Sequence, residues 1–185
     1  GASAGELVVS KAGQAVSFPD LQPRLTNAVV ALGATASSGL PVTEFAVISG
    51  PGVIHGTNLA FSGAGDVVIA AWQDGNANWN PAPAVTNFIK GFSVNPVSGP
   101  MAGGHAVLIT DGRIGDGASI TNVTLCGIPA VILGQGTNWV RVVSGAGAPG
   151  IGRLVVQSDS EIVVSNAYTY NPRGSIGRRE KDWTR

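Results

Sequence analysis

Apolar residues in this chain alternate with a period of two, in short runs that Gly, Pro, Asn or Asp cut every ~8–12 residues. Side chains with that period point to opposite faces of a strand, so each run can bury one face and leave the other wet. Residues 66–73, DVVIAAWQ, place Val67, Ile69 and Ala71 on one face and Val68, Ala70 and Trp72 on the other. The same reading holds for 14–18, 27–36, 43–49 and 84–94, then for 105–111, 120–127, 128–134, 138–145, 152–158 and 162–172. Residues 53–62 read as a hairpin turning at Gly56-Thr57-Asn58. No stretch sustains the i, i+3, i+4, i+7 pattern of an amphipathic helix over three turns. Many short strands with regular turns predict an all-β fold, built as two tandem β-sandwiches.

The division falls where turn residues pool. Residues 95–104, NPVSGPMAGG, follow a strand directly and open a second set of strands. The expected organisation is a linker or the end of a preceding repeat over 1–11, one sandwich over 12–93, a second over 94–172, and a basic tail over 173–185. Each unit of about 80 residues is large enough to fold alone. With so short a link between them, the two should stack as a semi-rigid rod. The opening GASAG reads as a cloning junction or a linker, and the chain as a piece of something longer.

Composition narrows the function classes. Hydrophobic residues make up 44% and charged residues 12%, enough for a core and against disorder. Eleven basic and eleven acidic residues cancel, so no overall field draws nucleic acid or an anionic membrane. The tail from Arg173 carries +3 through Arg173, Arg178, Arg179, Lys181 and Arg185 against Glu180 and Asp182, and reads as a solvated end. No apolar run reaches the ~20 residues of a membrane span. Cys126 is the single cysteine, so no internal disulfide forms, and it is expected as a small buried hydrophobe.

Two resemblances join this reading. Residues 94–172 resemble an IPT/TIG domain, an immunoglobulin-like fold. The carriers are Pro96, Gly99, Pro100, Gly103 and Gly104, the strand Val107-Leu108-Ile109, then ITNVTLCG (120–127) and SNAYTYNP (165–172). Asp111-Gly112-Arg113 departs from that family's pattern after its strand, which implies a differently shaped loop. Residues 12–93 are similar to bacterial Ig-like repeats that occur in tandem arrays. They carry VSFPDL (16–21), LGATASSGLPVTEFAVISGPG (32–52), LAFSGAGDVVIAAWQDGNANWNPAPAV (59–85) and the closing FSV. The KAGQAVSF start (11–18) resembles a joint between consecutive repeats, which implies further domains upstream.

Candidate sites are few. Trp72 would point outward if Val67, Ile69 and Ala71 face the core, and an outward Trp anchors a partner or covers a neighbouring strand. Trp79 stands where the similar repeats carry Tyr and is expected to pack over the sandwich end. Trp139 and Arg141 share a face, either as a surface cation–π pair or as a ligand shelf. Trp183 lies in the tail. His55 and His105 sit fifty residues apart with no GxSxG-type motif, so no nucleophile–base pair is expected. Cys126 and two distant histidines cannot make a zinc site. Asp111 and Asp116 flank one loop and are weak calcium candidates, since calcium needs about 6–8 oxygens and Asp beside Gly more often forms turns. The Gly-rich 145–152 lacks the Lys-Ser/Thr of a phosphate loop. Asn122-Val123-Thr124 fits the glycosylation acceptor pattern.

The expected function is therefore non-enzymatic and cofactor-free. The chain reads as a structural or interaction module of a larger secreted or cell-surface protein, a spacer or protein-interaction scaffold. The alternative is a carbohydrate-binding or adhesin module appended to a polysaccharide-acting enzyme, using Trp72, Trp139 or Arg141. The expected partners are proteins, carbohydrate or neighbouring domains of the same chain, with no nucleic acid and no direct membrane insertion.

Overall fold

A computed structural model describes residues 10–159 and 161–173. Within them the chain is all-β and contains no helix. Its strands are β1 (Val16–Ser17), β2 (Arg24–Leu25), β3 (Val29–Ala31), β4 (Thr35–Ala36), β5 (Glu44–Ser49), β6 (Gly52–His55), β7 (Asn58–Phe61), β8 (Gly65–Gln73) and β9 (Ala82–Asn95). There follow β10 (Ser98–Pro100), β11 (Ala106–Thr110), β12 (Asn122–Leu125), β13 (Ile128–Gln135), β14 (Trp139–Val143), β15 (Gly150–Gln157) and β16 (Glu161–Asn171).

The alternating pattern buries what it predicts. Val67, Ile69 and Ala71 of β8 are fully buried. They join Phe45, Leu59, Ile89 and Phe18 in one core, between the β2–β9–β8–β5 ladder and the β3–β7–β6 sheet. Phe18 and Phe45 meet edge to face at 5.7 Å there. A second core gathers Val107, Ile109, Val123, Leu125, Val140, Val142, Leu154, Val156, Tyr168 and Tyr170. It lies between the β9–β11–β14–β13 ladder and the β10–β16–β15–β12 ladder. In both places three or four antiparallel strands face a second sheet, with one short strand added in parallel beside the last long one: β2 on β9, and β10 on β16. These are immunoglobulin-like sandwiches.

Two hairpins show how local chemistry sets register. His55 pairs with Asn58 across a Gly56-Thr57 loop in which Gly56 takes a positive φ of 61°. Leu125 pairs with Ile128 across Cys126-Gly127, both with positive φ, 55° and 80°. Two successive positive φ values define the I′ turn that matches strand twist, and the first position normally holds Asn or Asp rather than Cys.

Strand β9 serves both cores. Its pairing with β8 ends at Gly91, and its pairing with β11 begins at Ser93. Phe92 between them is fully buried in the second core, where Leu25 of β2 also packs. No irregular segment separates the last rung on one side from the first on the other.

Candidate functional site

The two tryptophans around residues 74–78 have different tasks. Trp79 is half-buried and backbone-tied. Its N–H donates to Asn76 Oδ1 at 3.0 Å and its carbonyl accepts Asn76 N–H at 3.0 Å. Residues 11–14 strap this loop down: Ala12 N–H donates to the Asn78 carbonyl at 2.9 Å, and the Ala12 carbonyl accepts Asn80 N–H at 2.8 Å. Gln14 Nε2 adds bonds to Gln73 Oε1 and the Asn80 carbonyl, both at 2.8 Å. Trp72 lies on the face of β8 away from the core, half-buried, opposite Glu44 of β5 and at the register shift between β8 and β9. Its neighbour on that face, Ala70, is only 5% exposed, so this outer face is partly covered rather than an open platform.

Trp139 and Arg141 lie on the outer face of β14, which alternates with the buried Val140 and Val142. The indole lies along the end of β13: its pyrrole edge is over Gly136, where a Cβ would collide with it, and its benzo edge over Gly134, where a Cβ would crowd it at 3.3 Å. Cross-strand pairing brings Leu108 opposite Arg141, Thr110 opposite Trp139, and Asn95 opposite Leu108. Asn95, Ala106, Leu108, Trp139 and Arg141 together line a shallow concavity. The sequence placed Trp139 and Arg141 on one face. Leu108 and Asn95 escaped notice because strand pairing sets their place, Leu108 opposite Arg141 and Asn95 opposite Leu108; the available signal was an apolar residue at a solvent position of HAVLITD.

Asp111 and Asp116 part company. The Asp111 side chain is buried at the end of β11, where its carboxylate accepts Gly112 N–H at 2.6 Å and meets Lys90 Nζ at 3.5 Å. Lys90 also pairs with Asp66 at 2.8 Å. Burial pushes the Asp111 carboxyl above its ordinary range, although the Lys90 charge and the Gly112 N–H oppose that shift. For Lys90 burial pulls the other way, but the Asp66 hydrogen bond and the two carboxylate charges outweigh it and hold the ammonium above its ordinary value. Asp116 is exposed and closes its own turn, its Oδ1 accepting Ala118 N–H at 2.8 Å and Ser119 N–H at 2.7 Å, which lowers its carboxyl. Among the described residues no group of three His, Cys, Asp or Glu gathers as metal ligands.

The Asp66–Lys90–Asp111 cluster thus ties β8 and β9 to the loop after β11. Gly65 and Gly112 meet beside it so closely that a Cβ on Gly112 would stand 2.9 Å from the Gly65 Cα. Lys90 was the residue missed; its signal was a lysine inside the apolar run NFIKGFSV.

Cys126 differs from its expectation as a buried hydrophobe. It is half-buried, because it occupies the turn position just outside the core, and its Sγ donates to the Tyr168 carbonyl at 3.2 Å. Burial still pushes its thiol up. His55 is exposed beside the β6–β7 turn, and His105 is half-buried at the start of β11.

No protein-family model matches the sequence, and no curated protein matches it. Among solved structures the chain is similar to the D00-D0 domain of Intimin, at 13% identity over 85% of this chain and 98% of that one, with a TM-score of 0.34. It is similar to the D0-D1 domain of Intimin at 15% identity over 85% and 97%, with a TM-score of 0.30. It is also similar to a Bacteroides ovatus protein, SGBP-B of a mixed-linkage glucan utilization locus, solved with a mixed-linkage heptasaccharide. There the identity is 13%, over 83% of this chain and 44% of that one, with a TM-score of 0.29.

Proposed function

We propose that the chain is a non-catalytic module of a larger secreted or cell-surface protein, in which two stacked sandwiches act as a stiff spacer or a scaffold for a protein partner. On this reading residues 12–93 form a bacterial Ig-like repeat and residues 94–172 an IPT/TIG-type sandwich. The observation that carries it is the unbroken course of β9, which leaves Gly91 on one ladder and enters the next at Ser93. A hinge needs a few residues free to change φ and ψ, and here Phe92 is the single residue between the rungs and is buried. The Lys90 ion pairs and the Gly65–Gly112 approach brace the same joint.

Backbone 15N relaxation on the intact protein tests this. A spacer gives one common rotational diffusion tensor for amides of both cores. Two tensors with separate correlation times would remove the stiffness on which the reading rests.

A further inference from the structure

We propose that the outer face of β11 and β14 is a binding shelf for acidic saccharides, with a pyranose ring stacked on Trp139 and its carboxylate held by Arg141. The inference goes beyond the spacer reading and is independent of it, since the joint at Phe92 can be stiff whether or not the shelf is filled.

Three features carry it. First, the indole is preorganised. It lies along a bed of two glycines, Gly134 and Gly136, and its backbone is fixed by the Gly136 N–H bond to the Trp139 carbonyl at 2.8 Å. At 37% exposure it offers surface that is already ordered, so a ligand need not order it on binding. Second, the lining is apolar where a sugar's C–H face would lie, at Leu108 and Ala106, and polar at two points, Asn95 and Arg141. A mostly apolar concavity with few polar groups is how small-ligand sites fix orientation. Third, the charge is unanswered. Among the described residues the salt bridges are Lys90–Asp66 and Lys90–Asp111, and Arg141 takes part in neither. Its guanidinium is the single charged group of the shelf, and its fork of N–H donors matches a carboxylate in two parallel bonds. Trp139 and Arg141 stand two residues apart on one strand, about 7 Å, a span that a stacked ring and its carboxylate can bridge. A neutral sugar would offer the guanidinium hydroxyl acceptors but no opposite charge.

Affinity gel electrophoresis of the intact protein tests the shelf, with polygalacturonate, neutral galactan and polyglutamate as the three embedded polymers. Polygalacturonate should retard the protein, and the other two should not. Retardation should weaken at least tenfold in Trp139→Ala and in Arg141→Gln, and partially in Trp139→Phe, which keeps the packing on the glycines. Arg153→Gln, on the opposite sheet, should leave it unchanged. No retardation by polygalacturonate, equal retardation by polyglutamate or galactan, or retardation indifferent to both Trp139→Ala and Arg141→Gln would overturn the proposal.

Discussion

At the scale of single residues, the informative group is Asp111, a carboxylate with no exposed side-chain surface and an ammonium 3.5 Å away. Removing the partner of a buried charge costs more than the pair itself contributes, because the charge left behind is unsolvated. Lys90→Met keeps the aliphatic stem and deletes that partner. We expect a loss of about 2 kcal/mol near neutral pH, below the usual figure for a fully buried pair because Lys90 keeps 23% exposure. Asp111→Asn removes the charge yet keeps an acceptor for the Gly112 N–H, and should stay within about 1 kcal/mol. The pH dependence has a definite sign. Asp111 has a folded pKa above its ordinary 3.8, so its stabilising contribution is complete below that value and fades as pH rises through the folded one. Asp116 is lowered, so its contribution is present above 3.8 and is lost as pH falls through the folded value. In urea titrations between about pH 3 and pH 7, Asp111→Asn should gain on the parent as pH rises, while Asp116→Asn should fall behind. A reversed slope for Asp111→Asn would mean that the ion pair, not burial, governs this carboxyl.

At the scale of elements, period-two alternation located nearly every long strand, because each buries one face and the core reads that face directly. What it could not locate were strands without a face. Arg24–Leu25 and Ser98–Pro100 are two and three residues long and owe their geometry to parallel pairing with Gly91–Phe92 and Thr169–Asn171. Nothing in Arg-Leu or Ser-Gly-Pro announces that. The candidate shelf was half legible for the same reason. Trp139 and Arg141 are neighbours by local spacing, whereas Leu108 joins them through strand register. The β12–β13 turn was legible between 120–127 and 128–134, but its type was not, since Cys126-Gly127 lacks the Asn or Asp that marks a I′ loop, and the φ of 55° falls on Cys126, a residue that rarely adopts it. That conflict predicts an ordering. Cys126→Asn should lie within about 0.5 kcal/mol of the parent, trading the Sγ–Tyr168 contact for an easier backbone. Cys126→Val, β-branched at positive φ, should cost about 1–2 kcal/mol. Thermal melts of the two variants check it, and a Val variant as stable as the Asn one would show that the turn is not left-handed in solution.

At the scale of the whole molecule, what matters is whether two cores behave as one body. Phe92 and Leu25 belong by sequence to strands that line the first sandwich, yet both pack into the second core. The first half therefore lends part of its apolar surface to the second core. The approach of Gly65 to Gly112 is backbone against backbone, and backbone cannot turn aside as a side chain can. A Cβ at residue 112 would also stand 3.3 Å from the Asp66 nitrogen, next to the carboxylate that holds Lys90. Gly112→Val must therefore push the loop after β11 away from β8 and stretch the Lys90–Asp111 contact at the same time. It touches no residue of either core, so far-ultraviolet dichroism and the methyl shifts of Val67 and Val142 should be retained. What should change is the coupling. The common diffusion tensor should split, and the scattering profile should broaden toward a range of angles about Phe92. If the tensor stays single, β9 alone is stiff enough and the glycine contact merely fits around it. If the core shifts collapse, the halves are not separable bodies at all, and the joint at Phe92 is the interior of one larger fold.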